Sequence, residues 1–296
     1  MRKNFGARGA LVASMVIFGT LGLFTRKISV SSGELALYRA VMAAAVIGAA
    51  LLISRQKLDL QAVKKELLLL LLSGAALGIN WILLFEAYRY TTVSTATLSY
   101  YFAPVLVTVI SPVLFREKFT GKQVLCFVMS TTGLVLISVT GSLFGGGQDG
   151  RGILFGLSAA VFYATVVLLN KYIRGIAGLH RTFFQFLAAA LVLTPYVLCT
   201  GGITLNALDG MGWICLAVVG LVHTGLAYCL YFGAVGRLPG QTAAILSYCD
   251  PLVAVILSVT VLGEPMTVWQ VLGGLLILGF TLWGELPSRK KAEGSF

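Results

Sequence analysis

The chain has 296 residues, of which 58% are apolar and 11% are charged, and its formal net charge is +11. A water-soluble globular domain has about 25% charged residues, so the composition excludes such a domain and indicates a membrane protein. The Lys and Arg residues form short clusters between apolar stretches and do not line one helix face, which argues against nucleic-acid binding.

Ten apolar runs follow one another along the chain, near 9–25, 34–53, 66–87, 93–115, 122–140, 151–170, 180–199, 211–235, 240–262 and 267–284. A bilayer core about 30 Å thick needs about 20 apolar residues in a helix, which is close to the length of each run. The first run follows a basic N-terminus, as in a signal peptide, but no clear cleavage motif leads into a polar domain, so we interpret it as a membrane helix. The sequence therefore predicts an all-α membrane protein with ten transmembrane helices.

The distribution of Lys and Arg predicts the orientation, because cytoplasmic loops carry the excess of these residues. With both termini in the cytoplasm, 17 of the 22 Lys and Arg residues lie on the cytoplasmic side, and Arg26 and Lys27 are the local exception. We therefore expect a multi-pass integral protein of a bacterial plasma (inner) membrane, with both termini cytoplasmic.

Residues 95–125 and 242–272 repeat one another at a constant offset of 147, with ten of 31 positions identical. The identical pairs include Tyr101 and Tyr248, Pro104 and Pro251, Ser111 and Ser258, and Glu117 and Glu264. Polar and proline matches at one offset indicate a duplication. Because each copy has an odd number of spans, the second copy enters the membrane from the opposite side. Such inverted repeats around a midplane site are typical of secondary transporters.

The repeat predicts four segments along the chain. They are a first five-helix repeat (1–143), an extracytoplasmic Gly-rich linker (144–150), a second inverted five-helix repeat (151–285) and a basic cytoplasmic tail (286–296). The linker sequence "GGGQDG" lacks the Lys-Ser/Thr of a phosphate-binding loop, so we expect energy from an ion gradient and not from ATP.

Each half contains a Pro-bearing fourth helix followed by a loop Glu, in "SYYFAPVLVTVISPVLFREKFT" and "SYCDPLVAVILSVTVLGEPMT". With this block and its two halves of five spans, essentially the whole chain resembles the EamA-type branch of the drug/metabolite transporter superfamily. The resemblance implies a basket of helices around a central cavity and export of small metabolites, often amino acids or amines. The first copy reads "REK" where the second keeps "GEP", so its loop is expected to be anchored differently.

Two titratable residues lie near the predicted membrane midplane, where an Asp or Arg costs about 2.5–3.5 kcal/mol and usually faces the helix bundle. Asp250 is beside Pro251, which frees a backbone carbonyl, so the pair predicts a site for a proton or an ammonium group. The alternative is an Asp that bonds to Tyr or Ser neighbours and only packs the helix. His223 is either a neutral buried ring with satisfied nitrogens or a proton carrier in communication with Asp250.

Arg39 and Glu86 lie in the outer part of the predicted membrane. Arg39 can pair with Glu86 and close the outer side, or it can bind a substrate carboxylate. Glu86 can also extend to the interface. Glu117 and Glu264 are expected to be structural, with the carboxylate or the Thr of "E-x-x-T" capping the following span.

Aromatic and amide side chains at middle depths are the remaining candidates for substrate contact, although most aromatic residues in membranes serve packing or interface anchoring. These candidates are Asn80, Trp81, Tyr100, Tyr101, Tyr228 and Tyr248. The Gly74–Gly78 spacing permits close helix contact and is interpreted as structural.

The cysteines and histidines show no metal-ligand spacing, and no nucleophile–base triad is present, so the sequence predicts no cofactor. A lipid-processing enzyme would need His, Asp or Ser grouped at one membrane face, and a channel would need a continuous polar helix face. The sequence therefore favours a secondary exporter over an enzyme or a channel, and an importer or exchanger is the alternative within transport. Its expected partners are a small-molecule substrate, the lipid bilayer and protons as a candidate coupling ion.

Overall fold

The computed structural model describes residues 2–55, 60–115, 120–144, 149–176 and 178–286; most of these residues are helical, and no β-strand occurs among them. The α-helices are α1 (Arg2–Gly19), α2 (Leu21–Thr25), α3 (Ser32–Ile53), α4 (Leu60–Lys65), α5 (Leu67–Tyr90), α6 (Val93–Tyr100), α7 (Ala103–Phe115), α8 (Gly121–Phe144), α9 (Asp149–Tyr172), α10 (Gly178–Thr200), α11 (Gly210–Ala217), α12 (Ala227–Val235), α13 (Gly240–Ser247), α14 (Cys249–Thr260) and α15 (Val268–Glu285). A 3₁₀-helix covers Leu205–Ala207, and a π-helix, Val218–Leu226, joins α11 to α12.

Seven helical segments of the described chain are long and apolar enough to cross a membrane. They are Gly6–Thr25, Ser32–Ile53, Leu67–Tyr90, Val93–Leu114, Asp149–Tyr172, Gly178–Thr200 and Gly210–Val235. Three shorter apolar helices, Gly121–Ile137, Ile245–Thr260 and Val268–Gly284, lie in the other predicted runs. The all-α membrane fold is therefore confirmed, whereas the count of ten spans stays a prediction.

Polar residues begin several of these helices by binding free backbone N–H groups of the first turn. Ser31 accepts from the Glu34 N–H at 3.1 Å, and Asp209 accepts from the Gly212 N–H at 2.7 Å. Thr267 and Gln270 form a reciprocal capping box at the start of α15. The sequence predicted a cap at Thr267 or Glu264, and the structure assigns this role to Thr267.

The fourth and ninth predicted spans are both broken at the same position of the repeat. Helix α6 ends before Tyr101 and α13 ends before Tyr248. Proline removes the hydrogen bond to the carbonyl four residues earlier and its ring clashes with that carbonyl. Pro104 and Pro251 therefore leave without a helical hydrogen bond the carbonyls of Tyr100 and Ser247, the last residues of α6 and α13.

Helix contacts in one half have counterparts in the other half. A Cβ atom added at Gly78 would lie 3.2 Å from Leu193 Cγ, and one added at Gly225 would lie 2.7 Å from Val46 Cβ. Both the glycines and their partners are 147 residues apart, so α5 packs on α10 as the π-helix packs on α3. Likewise, α5 packs on α9 and α12 packs on α1. The duplication seen in the sequence therefore extends to the packing.

The contacts between loops define two ends of the helix bundle, here called the linker end and the termini end. At the linker end, Arg26 Nη2 lies 2.6 Å from Glu264 Oε1 and donates to the Thr91 carbonyl at 2.7 Å. At the termini end, Glu66 accepts from the Gly175 N–H at 3.0 Å, and Lys122 Nζ donates to the Gly284 carbonyl at 3.2 Å. These groups of loops match the two predicted sides, while which side is cytoplasmic stays a prediction.

Only some of the predicted segment boundaries lie within the described residues. Helix α9 begins at Asp149, so the last two residues of the predicted linker (144–150) are helical. Residues 145–148, residues 287–296 of the predicted tail, and Glu117 lie outside the described residues. The division into 1–143 and 151–285 stays a prediction.

Candidate functional site

The two helix breaks meet inside the bundle. Tyr101, between α6 and α7, donates its hydroxyl to Asp250 Oδ2 at 2.6 Å. Asp250 lies in the first turn of α14, where the positive end of the helix dipole stabilises a carboxylate. The position 147 residues earlier is Ala103, so only the second half supplies an acid. Tyr101, at the break in the first half, therefore binds the acid next to the break in the second half.

Arg39 lies on α3 with only 3% of its surface exposed. Its Nε donates to Thr224 Oγ1 at 2.6 Å, and its guanidinium carbon lies 4.4 Å from the centre of the Trp81 ring. Among the described residues, no carboxylate lies within ion-pair distance of Arg39, and no acceptor is recorded for its Nη groups. Glu86 contacts Arg89 at 3.3 Å and not Arg39. The structure thus leaves one edge of a buried guanidinium without a recorded partner.

Arg39 and Asp250 lie within electrostatic range of the same three tyrosines. Both charges interact electrostatically with each other and with Tyr88, Tyr100 and Tyr228. Tyr100 also contacts Tyr101 and Tyr163, with ring centres 5.9 and 5.5 Å apart. Arg39 and Asp250 thus lie near the same tyrosines without forming a salt bridge.

His223 lies in the π-helix and is 1% exposed. Its Nε2 is 2.7 Å from Thr20 Oγ1, its Nδ1 is 3.2 Å from the Val218 carbonyl, and its ring packs on Phe24. Both ring nitrogens therefore have partners, as in a structural histidine, and no direct contact with Asp250 is recorded. A role in proton transfer stays a prediction.

The other predicted site residues have different surroundings. Asn80 donates its amide to the Ala159 carbonyl at 2.7 Å, while its buried Oδ1 has no hydrogen-bond partner among the described residues. The Tyr228 ring packs between Phe18 and Phe186, with centres 5.2 Å from each. Tyr248 lies at the break between α13 and α14. Substrate contact by these three residues stays a prediction.

Sequence reasoning missed Thr224 and Tyr163. Thr224 is fully buried, and no local signal distinguishes it from the other threonines in apolar runs. The contacts of both residues depend on packing between distant helices, so only the structure could identify them.

A cavity of about 660 Å³ opens at the linker end, between the 26–31 loop and the end of α5. Its lining includes Arg26, Phe85 and Tyr88. The Phe85 ring, which lines this cavity, has its centre 5.7 Å from the Arg39 guanidinium. The central cavity implied by the family resemblance stays a prediction.

The fold and the buried charges define a helical membrane protein built from two related halves. The model of the EamA-like transporter family matches the chain twice, at residues 7–139 and 150–283. The chain therefore belongs to the EamA-like transporter family. This assignment makes it a transporter and not an enzyme, and the two matches correspond to the two repeats.

Relatives over most of the chain carry transporter names. The "Uncharacterized transporter YxxF" of Bacillus subtilis is 32% identical over 268 residues, covering 90% of this chain and 85% of its own length. "Solute carrier family 35 member G1" of Homo sapiens is 23% identical over 276 residues, covering 90% of this chain and 74% of its own. A crystal structure of a protein at 19% identity covers 93% of this chain and 95% of its own, with a TM-score of 0.65. That likeness supports the fold alone.

Proposed function

We propose that the protein is a secondary active transporter that exports amino acids or small amines across a bacterial plasma membrane. The main support is that Arg39 and Asp250 lie in one aromatic surrounding without forming a salt bridge. Keeping the buried guanidinium of Arg39 without a carboxylate partner is costly unless a ligand compensates it. A zwitterionic amino acid offers a carboxylate to Arg39 and an ammonium group to Asp250.

The charges disfavour other substrate classes. A sugar phosphate or a nucleotide sugar would need several inward cations, and Arg39 is the one buried Lys or Arg in the described ranges. The tyrosines and Trp81 suit the apolar part of an amino acid or amine, and an aromatic ring face also attracts an ammonium group.

Transport is proposed to occur by alternating access of two inverted five-helix repeats within ten spans. The repeated packing between the halves supports this mechanism: α5 packs on α10 as the π-helix packs on α3. Two related halves can swap between two arrangements. Helices α6 and α14 pack together at the linker end. The other parts of the same two spans, α7 and α13, lie towards the termini end and pack on different helices, α7 on α8 and α9 and α13 on α1 and α15. The structure thus fits a state in which α6 and α14 are closed against each other at the linker end, beside the cavity lined by Arg26, Phe85 and Tyr88.

Glu264 is proposed to hold that end closed. Its Oε2 accepts from the Val93 N–H at 2.8 Å and from the Ser258 hydroxyl, while its Oε1 pairs with Arg26. Ser258 in turn accepts from the Ser94 N–H at 3.2 Å. These contacts tie the loop after α14 to the start of α6, which belongs to the other half.

Coupling to protons is proposed to depend on Asp250. A partly buried carboxylate within a membrane span can hold either a proton or the ammonium group of the substrate, and exchange between them links transport to the proton gradient. The Tyr101 hydroxyl binds one carboxylate oxygen, and no partner is recorded for the other within the described chain. This oxygen is therefore suited to a proton or an ammonium group.

The test is thermal unfolding of the detergent-purified protein with amino acids, small amines, sugar phosphates and nucleotide sugars. A ligand that binds only the folded state stabilises it by about 2.7 kcal/mol at one hundred times its Kd. We expect amino acids or amines to raise the Tm. Arg39→Gln should remove the effect of amino acids and keep that of amines. Stabilisation confined to phosphorylated or nucleotide-linked compounds would contradict the proposal.

A further inference from the structure

The span that contains His223 and Thr224 departs from the α-helix over nine residues, Val218–Leu226. The counterpart 147 residues earlier, 71–79, lies inside the regular helix α5. π-helices are rare and occur frequently at functional sites. The two halves therefore differ in backbone at the position that contacts Arg39.

The π-helix determines the hydrogen bonding of Thr224. Its hydroxyl donates to the Val219 carbonyl, five residues earlier, at 3.0 Å. Since the hydroxyl proton is used there, the oxygen accepts from Arg39 Nε at 2.6 Å. The direction of both hydrogen bonds is thereby set, because the Nε group of Arg39 can only donate.

Two glycines of the π-helix bring α3 close enough for this contact. A Cβ atom at Gly220 would lie 2.2 Å from Met42 Cε, and one at Gly225 would lie 2.7 Å from Val46 Cβ. Met42 and Val46 lie one and two helical turns after Arg39 on α3. Larger residues at these glycines would separate Arg39 from Thr224.

We propose that Thr224 is a positioning residue that selects substrates with a carboxylate. Thr224 binds the Nε edge of Arg39 and Trp81 covers one face, so the Nη edge is left for the ligand. A guanidinium held in this way can bind a carboxylate with two parallel hydrogen bonds. Without Thr224, the guanidinium rotates and loses this geometry. The selection of carboxylates rests on the proposed function, whereas the positioning of Arg39 does not.

The first measurement needs no ligand. The ¹⁵N signal of the Arg39 Nε–H group, assigned by its loss in Arg39→Lys, is followed by NMR in detergent. We expect slow exchange with water in the wild type and in Thr224→Ser, and fast exchange in Thr224→Val. Thr224→Ala serves as a second variant if Thr224→Val does not fold. A protected Nε–H in a folded Val or Ala variant would overturn the positioning role.

The second measurement compares the binding of each proteinogenic amino acid with that of its decarboxylated amine. In Thr224→Val the preference for the amino acid should fall by about ten-fold, which equals about 1.4 kcal/mol, while amine binding is unchanged. Thr224→Ser should restore the preference, which a general loss of packing would not predict. An unchanged preference overturns the selective role. If no member of the panel binds the wild type, the proposed function and the carboxylate selection both fail, while the NMR result still decides the positioning.

Discussion

Replacing Glu264 by Ala should open the linker end. The variant loses a partly exposed ion pair with Arg26, for which up to about 1 kcal/mol is typical, and a helix-start hydrogen bond to the Val93 N–H, for which about 1 kcal/mol is typical. The total of about 2 kcal/mol changes the ratio of closed to open states by about 30-fold. Glu264→Gln keeps an acceptor oxygen and should have about half this effect on the free energy.

The assay follows a single cysteine, Ala254→Cys, in a cysteine-free background. Ala254 is buried on α14, one turn before Ser258, on the face that meets α6. An impermeant thiol reagent applied from the linker side should label it slowly in the wild type and at least about ten-fold faster with Glu264→Ala. The matched control is Glu86→Ala, which removes a partly exposed carboxylate paired with Arg89 at the same end. Equal labelling in wild type and Glu264→Ala, or equal acceleration by Glu86→Ala, would refute the role of Glu264.

Three further predictions concern topology and coupling. A cysteine at Ser142 should react with an impermeant reagent outside intact cells, and labelling only after permeabilisation would contradict the orientation. Asp250→Asn should abolish gradient-driven transport, and accumulation at the wild-type level by the folded variant would make Asp250 a packing residue. His223→Gln should shift the pH dependence of transport, because an imidazole can gain a proton near physiological pH and the amide of Gln cannot; an unchanged pH profile would restrict His223 to a structural role.

The sequence predicted the helical fold and the repeat well, because apolar length, proline position and pairs at one offset are local properties. Tyr101 and Pro104 repeat as Tyr248 and Pro251, and the structure shows a helix break at each pair. A bond from Asp250 to a Tyr was one of the predicted alternatives, but the identity of its partner, Tyr101, was not, because this contact joins two halves whose relative placement depends on packing.

Where a helix face or register decides the partner, the sequence left alternatives open. Arg39 and Glu86 lie at similar predicted depths, but Trp81 and Phe85 occupy the face of α5 that meets Arg39, and Glu86 contacts Arg89. Either Glu264 or Thr267 was expected to cap the following span; Thr267 does so, and Glu264 binds the start of α6 in the other half. Neither partner follows from spacing along one helix, since both depend on contacts between helices.

The position of Thr224 could not be predicted for a different reason. A π-helix adds one residue to each turn and changes which side chains face a neighbouring helix. The segment "VVGLVHTGL" has the composition of an ordinary membrane helix, so the sequence shows no sign of this change. The contact with Arg39 therefore becomes visible only in the structure.

The measurement that tests the central claim most directly is flux of amino acids and amines into proteoliposomes, with and without an imposed pH gradient. We expect the wild-type protein to accumulate at least one amino acid or amine, with accumulation dependent on the gradient. Asp250→Asn should lose this dependence, and Arg39→Gln should lose amino-acid transport. Gradient-driven flux of phosphorylated compounds alone, or amino-acid flux unaffected by both substitutions, would contradict the account.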